Sequence, residues 1–134
     1  MRFLLDTNAC IRAITGRAPM LADTMKRHRR EDVVSCSVVK AEMFYGAMKS
    51  ANPVANLSRM EAFFAPYKVL PFDDEAARRF GEIRAALEKR GTPIGPYDLQ
   101  IAAIALANQC VVVTHNVREF SRVDGLLVED WESL

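Results

Sequence analysis

The chain has 134 residues, 50% hydrophobic and 26% charged, and its 18 Lys and Arg against 17 Asp and Glu leave a formal net charge of +1. That length suits one domain able to bury roughly two thirds of its unfolded surface, and the charge balance excludes a uniformly basic nucleic-acid binder while leaving local clusters free to meet phosphate. Cys10, Cys36 and Cys110 stand singly, without the spacings of zinc or redox sites, and read as core residues of a reducing compartment. The opening MRFLL is too short for a signal h-region, and no apolar stretch approaches the ~20 residues that span a bilayer, so a cytoplasmic protein is expected.

In chain order, the apolar run 3–5 reads as a first strand that ends directly at Asp6. The basic run Lys26-Arg27-His28-Arg29-Arg30 reads as a solvated face, with RNA contact or partner anchoring as lesser alternatives. A second strand at 33–36 leads to Ser37, which is expected to cap a helix through Val38, Val39, Ala41, Glu42, Phe44 and Tyr45, with Glu42 about one turn inside. Asn52-Pro53 supplies a cap and a first-turn proline for a helix carrying Leu57, Met60, Phe63 and Phe64. After a short strand at 69–70, Asp73 begins an alanine-rich helix that stops at Gly91. Gly95-Pro96 then opens a helix through Ile101, Ala102, Ile104 and Ala105, with Asp98 in its first turn. Strand 111–113 and a weaker one at 126–128 complete the set. This alternation predicts the α/β class, a three-layer α/β/α sandwich around a parallel sheet of four to five strands, in a single domain over 1–134 without repeats or linkers.

Asp6, Glu42 and Asp98 each sit at the edge of an apolar segment, where an ionised carboxylate must be paired, hydrogen-bonded or bound to metal. Each also has a plainer reading: Asp6 or Thr7 as a helix cap, Glu42 on the solvent face of an amphipathic helix, Asp98 as a partner of the helix dipole. Topology raises the joint probability of a site. A carboxylate after the first strand, one early in the next helix and one at a helix start before the fourth strand can all reach the carboxyl end of one sheet. Hard oxygen ligands of that kind suit Mg2+ or Mn2+.

LLDTN at 4–8, Glu-x-x-x-Gly from Glu42 to Gly46, IGPYD at 94–98 with the Ile-Ala-Ala helix behind it, VVTHNVREF at 112–120, and the tail residues Glu129-Asp130-Trp131 occur in this order across nearly the whole chain. Together they resemble a PIN-domain ribonuclease of the VapC type, the toxin of bacterial VapBC toxin-antitoxin pairs. The resemblance implies a PIN-like fold and a Mg2+- or Mn2+-dependent endoribonuclease with one or two ions. Structured RNA, with transfer RNA a plausible class, would be hydrolysed through metal-activated water to leave a 5′-phosphate and a 3′-hydroxyl. It further implies silencing by a cognate VapB-like antitoxin, through which alone the protein meets DNA. Asp6 and Asp98 would be direct ligands, Glu42 and Glu119 direct or water-mediated ones, and Asn8 and Thr114 would orient the carboxylates.

At one position the chain departs from the family pattern. Many PIN domains carry an aspartate two residues after the threonine that ends the fourth strand, where this chain has the neutral Asn116. Glu119 is expected to supply the missing carboxylate if a helical turn follows Asn116. The alternative is a catalytically weakened PIN-like module that binds RNA or protein; a phosphatase-type site is disfavoured because Asn8 stands where a second Asp is usual. His115 lies beside the site but, as a lone loop histidine, reads as solvent-facing before it reads as catalytic. Phe44, Tyr45, Met48, Met60, Phe63 and Phe64 read as core, yet two successive helices this apolar exceed what one small core hides, which favours a homodimer or a groove for a partner helix.

Overall fold

The computed structural model describes residues 1–133. Five strands, β1 (Arg2–Leu5), β2 (Val33–Cys36), β3 (Lys68–Leu70), β4 (Cys110–Val113) and β5 (Val128–Glu129), form one sheet in the order β3-β2-β1-β4-β5. Every neighbouring pair is parallel. The helices are α1 (Thr7–Thr15), α2 (Pro19–Arg27), α3 (Ser37–Met48), α4 (Pro53–Phe64), α5 (Asp74–Arg90), α6 (Pro96–Ala107) and α7 (Val117–Phe120), with a short 3-10 turn at Arg30–Asp32.

The central strands are mostly apolar because both faces of the sheet are covered: β2 and β4 are buried at every residue. From β1 the chain steps outward to β2 and β3, then crosses back to place β4 on the other side of β1. Right-handed crossovers therefore put α1 to α4 on one face and α5 to α7 on the other, which gives three layers. Helix α6 has no polar stripe, since Leu99 and all of 101–105 are buried; it is a core helix against the sheet. Truncating Ile101 or Ile104, both fully buried, to Ala would cost roughly 2–5 kcal/mol.

Local signals and tertiary context divide the remaining details between them. Asp73 caps α5 by accepting the Ala76 N–H at 3.0 Å, and Gly91 ends that helix in the left-handed region at φ 74°, which other residues adopt only under strain. Ser37 does not cap α3. It is the first helical residue, and its hydroxyl accepts the Phe72 N–H at 3.3 Å, so a loop 35 residues away claims the group that a local cap would use. Asn52 holds the expected N-cap position of α4 without a side-chain cap bond. The fifth strand is displaced to Val128–Glu129, where two residues pair with Val112 and Val113. His28 is not part of a solvated run: its ring lies flat on Trp131, centroids 4.7 Å apart and planes within 5°, and 4.5 Å from Phe3. All three cysteines are buried and free. Among the described residues no helix is long and apolar enough to cross a membrane.

The order in which strands are added reverses between β1 and β4, where Leu5 is level with Val113. The residues leaving these two strands, Asp6 and Thr114, therefore emerge side by side at the carboxyl edge. Open parallel sheets form their ligand crevice at such a point.

Candidate active site

Asp6 occupies the turn between β1 and α1, with extended backbone at φ −72° and ψ 175°. Its two oxygens have separate duties: Oδ1 accepts the Ala9 N–H at 2.8 Å and Oδ2 accepts the Thr114 hydroxyl at 2.6 Å. Capping a helix and facing a site are thus compatible here, and both hold the carboxylate rigidly. Thr114 in turn accepts the Asn116 backbone N–H at 2.8 Å, which folds the chain after β4 back toward Asp6. From the first turn of α1 the Thr7 hydroxyl donates to Glu42 Oε1 at 2.6 Å, locking α3 to α1.

Asp98 is the third residue of α6, behind Gly95-Pro96. The proline fixes the entry, and the helix N-terminus favours the anion. Glu119 lies in α7, the single helical turn after Asn116; it accepts the Gly95 N–H at 3.2 Å through Oε1 and the Asn116 amide through Oε2. Asp6, Glu42, Asp98 and Asn116 line one cavity of about 250 Å3, together with Asn8 and Tyr97. Glu119 stands behind Asn116 rather than on the cavity wall.

The electrostatics of this corner are lopsided. None of the ion pairs among the described residues involves Asp6, Glu42, Asp98 or Glu119. Burial, followed by the charges of Glu119, Asp6 and Glu42, pushes the Asp98 carboxyl up to about 6. Burial likewise raises Asp6, which is 4% exposed; its bonds from Thr114 and Ala9 oppose the shift, and Glu132 and Glu42 add to it. A concentration of hard oxygen donors that repel one another and lack Lys or Arg partners fits a hydrated divalent cation such as Mg2+ or Mn2+. The acids are not drawn to contact distance. Among the described residues the three whose ligand atoms all lie within 4.8 Å of one another are His115, Asp130 and Glu132. An ion among the four acids would keep several waters or take oxygens from a phosphate, as Mg2+ usually does.

Asn8 lines the cavity from an exposed position, and the carboxylate-orienting role expected of it and of Thr114 is carried in the structure by Thr114 and Thr7. In the sequence Thr7 reads only as a possible helix cap beside Asp6. The Gly95 N–H that meets Glu119 gives no sequence signal beyond its place before a helix. Glu132 was not foreseen; its oxygen pairs with Arg12, 120 positions earlier.

A family model described as the PIN domain matches residues 3–126. The chain is 41% identical over 131 residues to the tRNA(fMet)-specific endonuclease VapC of Salmonella typhimurium, covering 98% of each. It is 32% identical over 133 residues to ribonuclease VapC2 of Rickettsia felis, covering 98% of this chain and 99% of that protein. A crystal structure of DNA-bound VapBC from Salmonella typhimurium superposes with a TM-score of 0.92 at 40% identity, covering 98% of each chain. That of VapBC-1 from nontypeable Haemophilus influenzae superposes at 0.90 and 31% identity, over 99% of this chain and all of that one.

Proposed function

This chain belongs to the PIN-domain family, in its VapC-type branch, and from that premise we propose that it is a single-domain, metal-dependent endoribonuclease whose four acids, Asp6, Glu42, Asp98 and Glu119, form the active site. The observation that carries the site assignment is the convergence of Asp6, Glu42 and Asp98 on one cavity, with Glu119 bonded to the Gly95 N–H of its lining, no basic partner, and Asp98 raised to about 6 by its surroundings. Asp6 and Asp98 would hold the ion directly, Glu42 and Glu119 directly or through water. A bound Mg2+ or Mn2+ would lower the pKa of a water and neutralise charge on the scissile phosphate.

The chain's own residues prepare that chemistry. The Thr114 hydroxyl and the Ala9 N–H stabilise the charged form of Asp6 and fix which lone pairs remain free. Thr7 occupies Oε1 of Glu42 and fixes that carboxylate against α1. Glu119 clamps the entry of α6 through the Gly95 N–H, so the position of Asp98 depends on it even where Glu119 touches no ion. Asn116 offers a neutral oxygen at the corner where an acid is usual, and the weaker hold there favours one firmly bound ion over two. The same substitution is the one feature that favours a catalytically weakened binding module as the second reading.

Structured RNA is the proposed substrate. Transfer RNA is the first to test, because the named substrate of the 41% identical Salmonella protein is tRNA(fMet). Cytoplasmic location in a bacterium and control by a VapB-like antitoxin, through which the protein would meet DNA, are proposed on the likeness to the VapBC complexes. A largely apolar groove of about 280 Å3, lined by Ile11, Ile14, Met43, Ala47 and Met60 and also by Glu42, supports the antitoxin reading, since a segment laid in it would meet one of the acids. Tyr45 at 67%, Met48 at 61% and Val54 at 80% exposure on α3 and α4 support a homodimer. Purified protein incubated with transfer RNA and Mg2+ is expected to release discrete fragments bearing 5′-phosphates. Undiminished cutting in excess EDTA, or by Asp98→Asn protein, would overturn the proposal.

A further inference from the structure

The C-terminal tail carries a second group of ligand-type side chains outside the four acids. His115, at the end of the β4 turn, and Asp130 and Glu132, after β5, bring one ligand atom each to within 4.8 Å of the other two. Three donors around a single first-row cation stand roughly 3 to 4 Å apart for metal–ligand bonds near 2.1 Å, so a closing shift of at most about 1 to 2 Å completes the set. The donors are already oriented. Asp130 Oδ2 faces His115 Nδ1 at 3.0 Å and accepts the Ser133 hydroxyl at 2.9 Å, while Oδ1 accepts the Glu132 N–H at 2.9 Å, which fixes the tail as a tight turn over the loop.

Independent of that proximity is the state of Glu132. Its side chain is only 7% exposed. Oε1 is taken by Arg12, but Oε2 is buried with no hydrogen-bond donor. A buried carboxylate oxygen without a donor is costly, and a cation is the kind of partner that offsets the cost. His115, at 58% side-chain exposure, leaves the group open to solvent on one side, so an ion can enter.

We propose that His115, Asp130 and Glu132, none of them among the four acids, form a second divalent-cation site that ties the C-terminal tail to the loop after β4. One imidazole with two carboxylates selects the borderline first-row ions Mn2+, Co2+ and Zn2+ over Mg2+, whose preference is for oxygen alone. Coordination through His115 Nδ1 would replace its present contact with Asp130 Oδ2 by a shared ion. The site does not rest on the nuclease reading, because none of its residues belongs to the four acids.

The chain supplies its own reporter. Trp131 is the only tryptophan and lies between two of the three ligands, packed on His28 and Phe3. Full-length Asp98→Asn protein, in which the four-acid corner is disabled, is titrated with Co2+ while Trp131 fluorescence and the visible absorption of the cobalt are followed together. Saturable quenching with visible bands is expected, and addition of His115→Ala should weaken binding at least tenfold while leaving the circular dichroism unchanged. Equal affinity with and without His115→Ala, or an absence of quenching up to millimolar Co2+, would overturn the site. So would quenching that Asp98→Asn abolishes in an otherwise wild-type chain.

Discussion

Asp98→Asn separates electrostatics from shape, because it removes one charge from the corner and keeps the outline of the side chain. In the wild-type chain burial and three neighbouring acids hold the Asp98 carboxyl at about 6 against an ordinary 3.8. A shift of that size corresponds to about 3 kcal/mol of penalty on the ionised form, and the partial exposure of Asp98 reduces it to about 1.5 kcal/mol. The sign follows from proton linkage: between the two pKa values the folded state binds more protons than the unfolded state, so this contribution to stability falls as pH rises. The cost is absent below about pH 4, roughly half developed at pH 5 and complete above pH 7. Metal-free Asp98→Asn protein should therefore exceed wild type by about 1.5 kcal/mol at pH 7.5, with the difference vanishing toward pH 4. Urea denaturation in EDTA at pH 4, 5, 6 and 7.5 measures it. A difference that is zero, negative or independent of pH would refute the claim that clustered acids strain this corner. In millimolar Mg2+ the order should reverse, since only the wild-type chain gains from the ion.

Three further substitutions probe separate links. Thr114→Val deletes the donor to Asp6 Oδ2; it should lower stability at pH 7.5 by about 2 kcal/mol, by less at acidic pH where Asp6 is protonated, and should raise the acid limb of the cleavage profile, all readable by denaturation and a pH–rate curve. Glu119→Gln keeps an acceptor for the Gly95 N–H but loses the charge, so single-turnover cleavage should fall at least tenfold while thermal stability in EDTA is unchanged or higher; full activity would remove Glu119 from the site. Ser35, 3% exposed in β2 with its hydroxyl unbonded, should accept Ala with a gain of about 1 kcal/mol, seen as a higher urea midpoint at constant slope.

The parts of this molecule that are legible in its sequence are those decided by neighbours in the chain. Uniformly apolar runs mark buried parallel strands, Asp73 and Gly91 bracket α5, and Gly95-Pro96 sets Asp98 in a first turn, because each signal acts within four or five residues. The helical turn after Asn116, on which the role of Glu119 depends, is likewise local. What escaped depends on groups brought together by folding. The Ser37 hydroxyl is claimed by Phe72 rather than by its own helix, and β5 is two residues long because only Val128 and Glu129 come level with β4. His28 leaves its basic run to stack on Trp131, and Arg12 finds Glu132 across the whole chain. The four acids lie between these cases: Asp6, Glu42 and Asp98 each have a local reading as cap, face or dipole partner, Glu119 follows from the turn after Asn116, and only the parallel sheet order brings them to one corner.

The central claim is that these acids form one cation site, and the most direct measurement is anomalous diffraction from crystals of the wild-type chain grown with Mn2+. The account predicts a peak in the cavity after β1 within bonding distance of carboxylate oxygens of Asp6 and Asp98, absent from Asp98→Asn crystals. Mn2+ bound elsewhere with that cavity empty, or a peak there that survives Asp98→Asn unchanged, would contradict it.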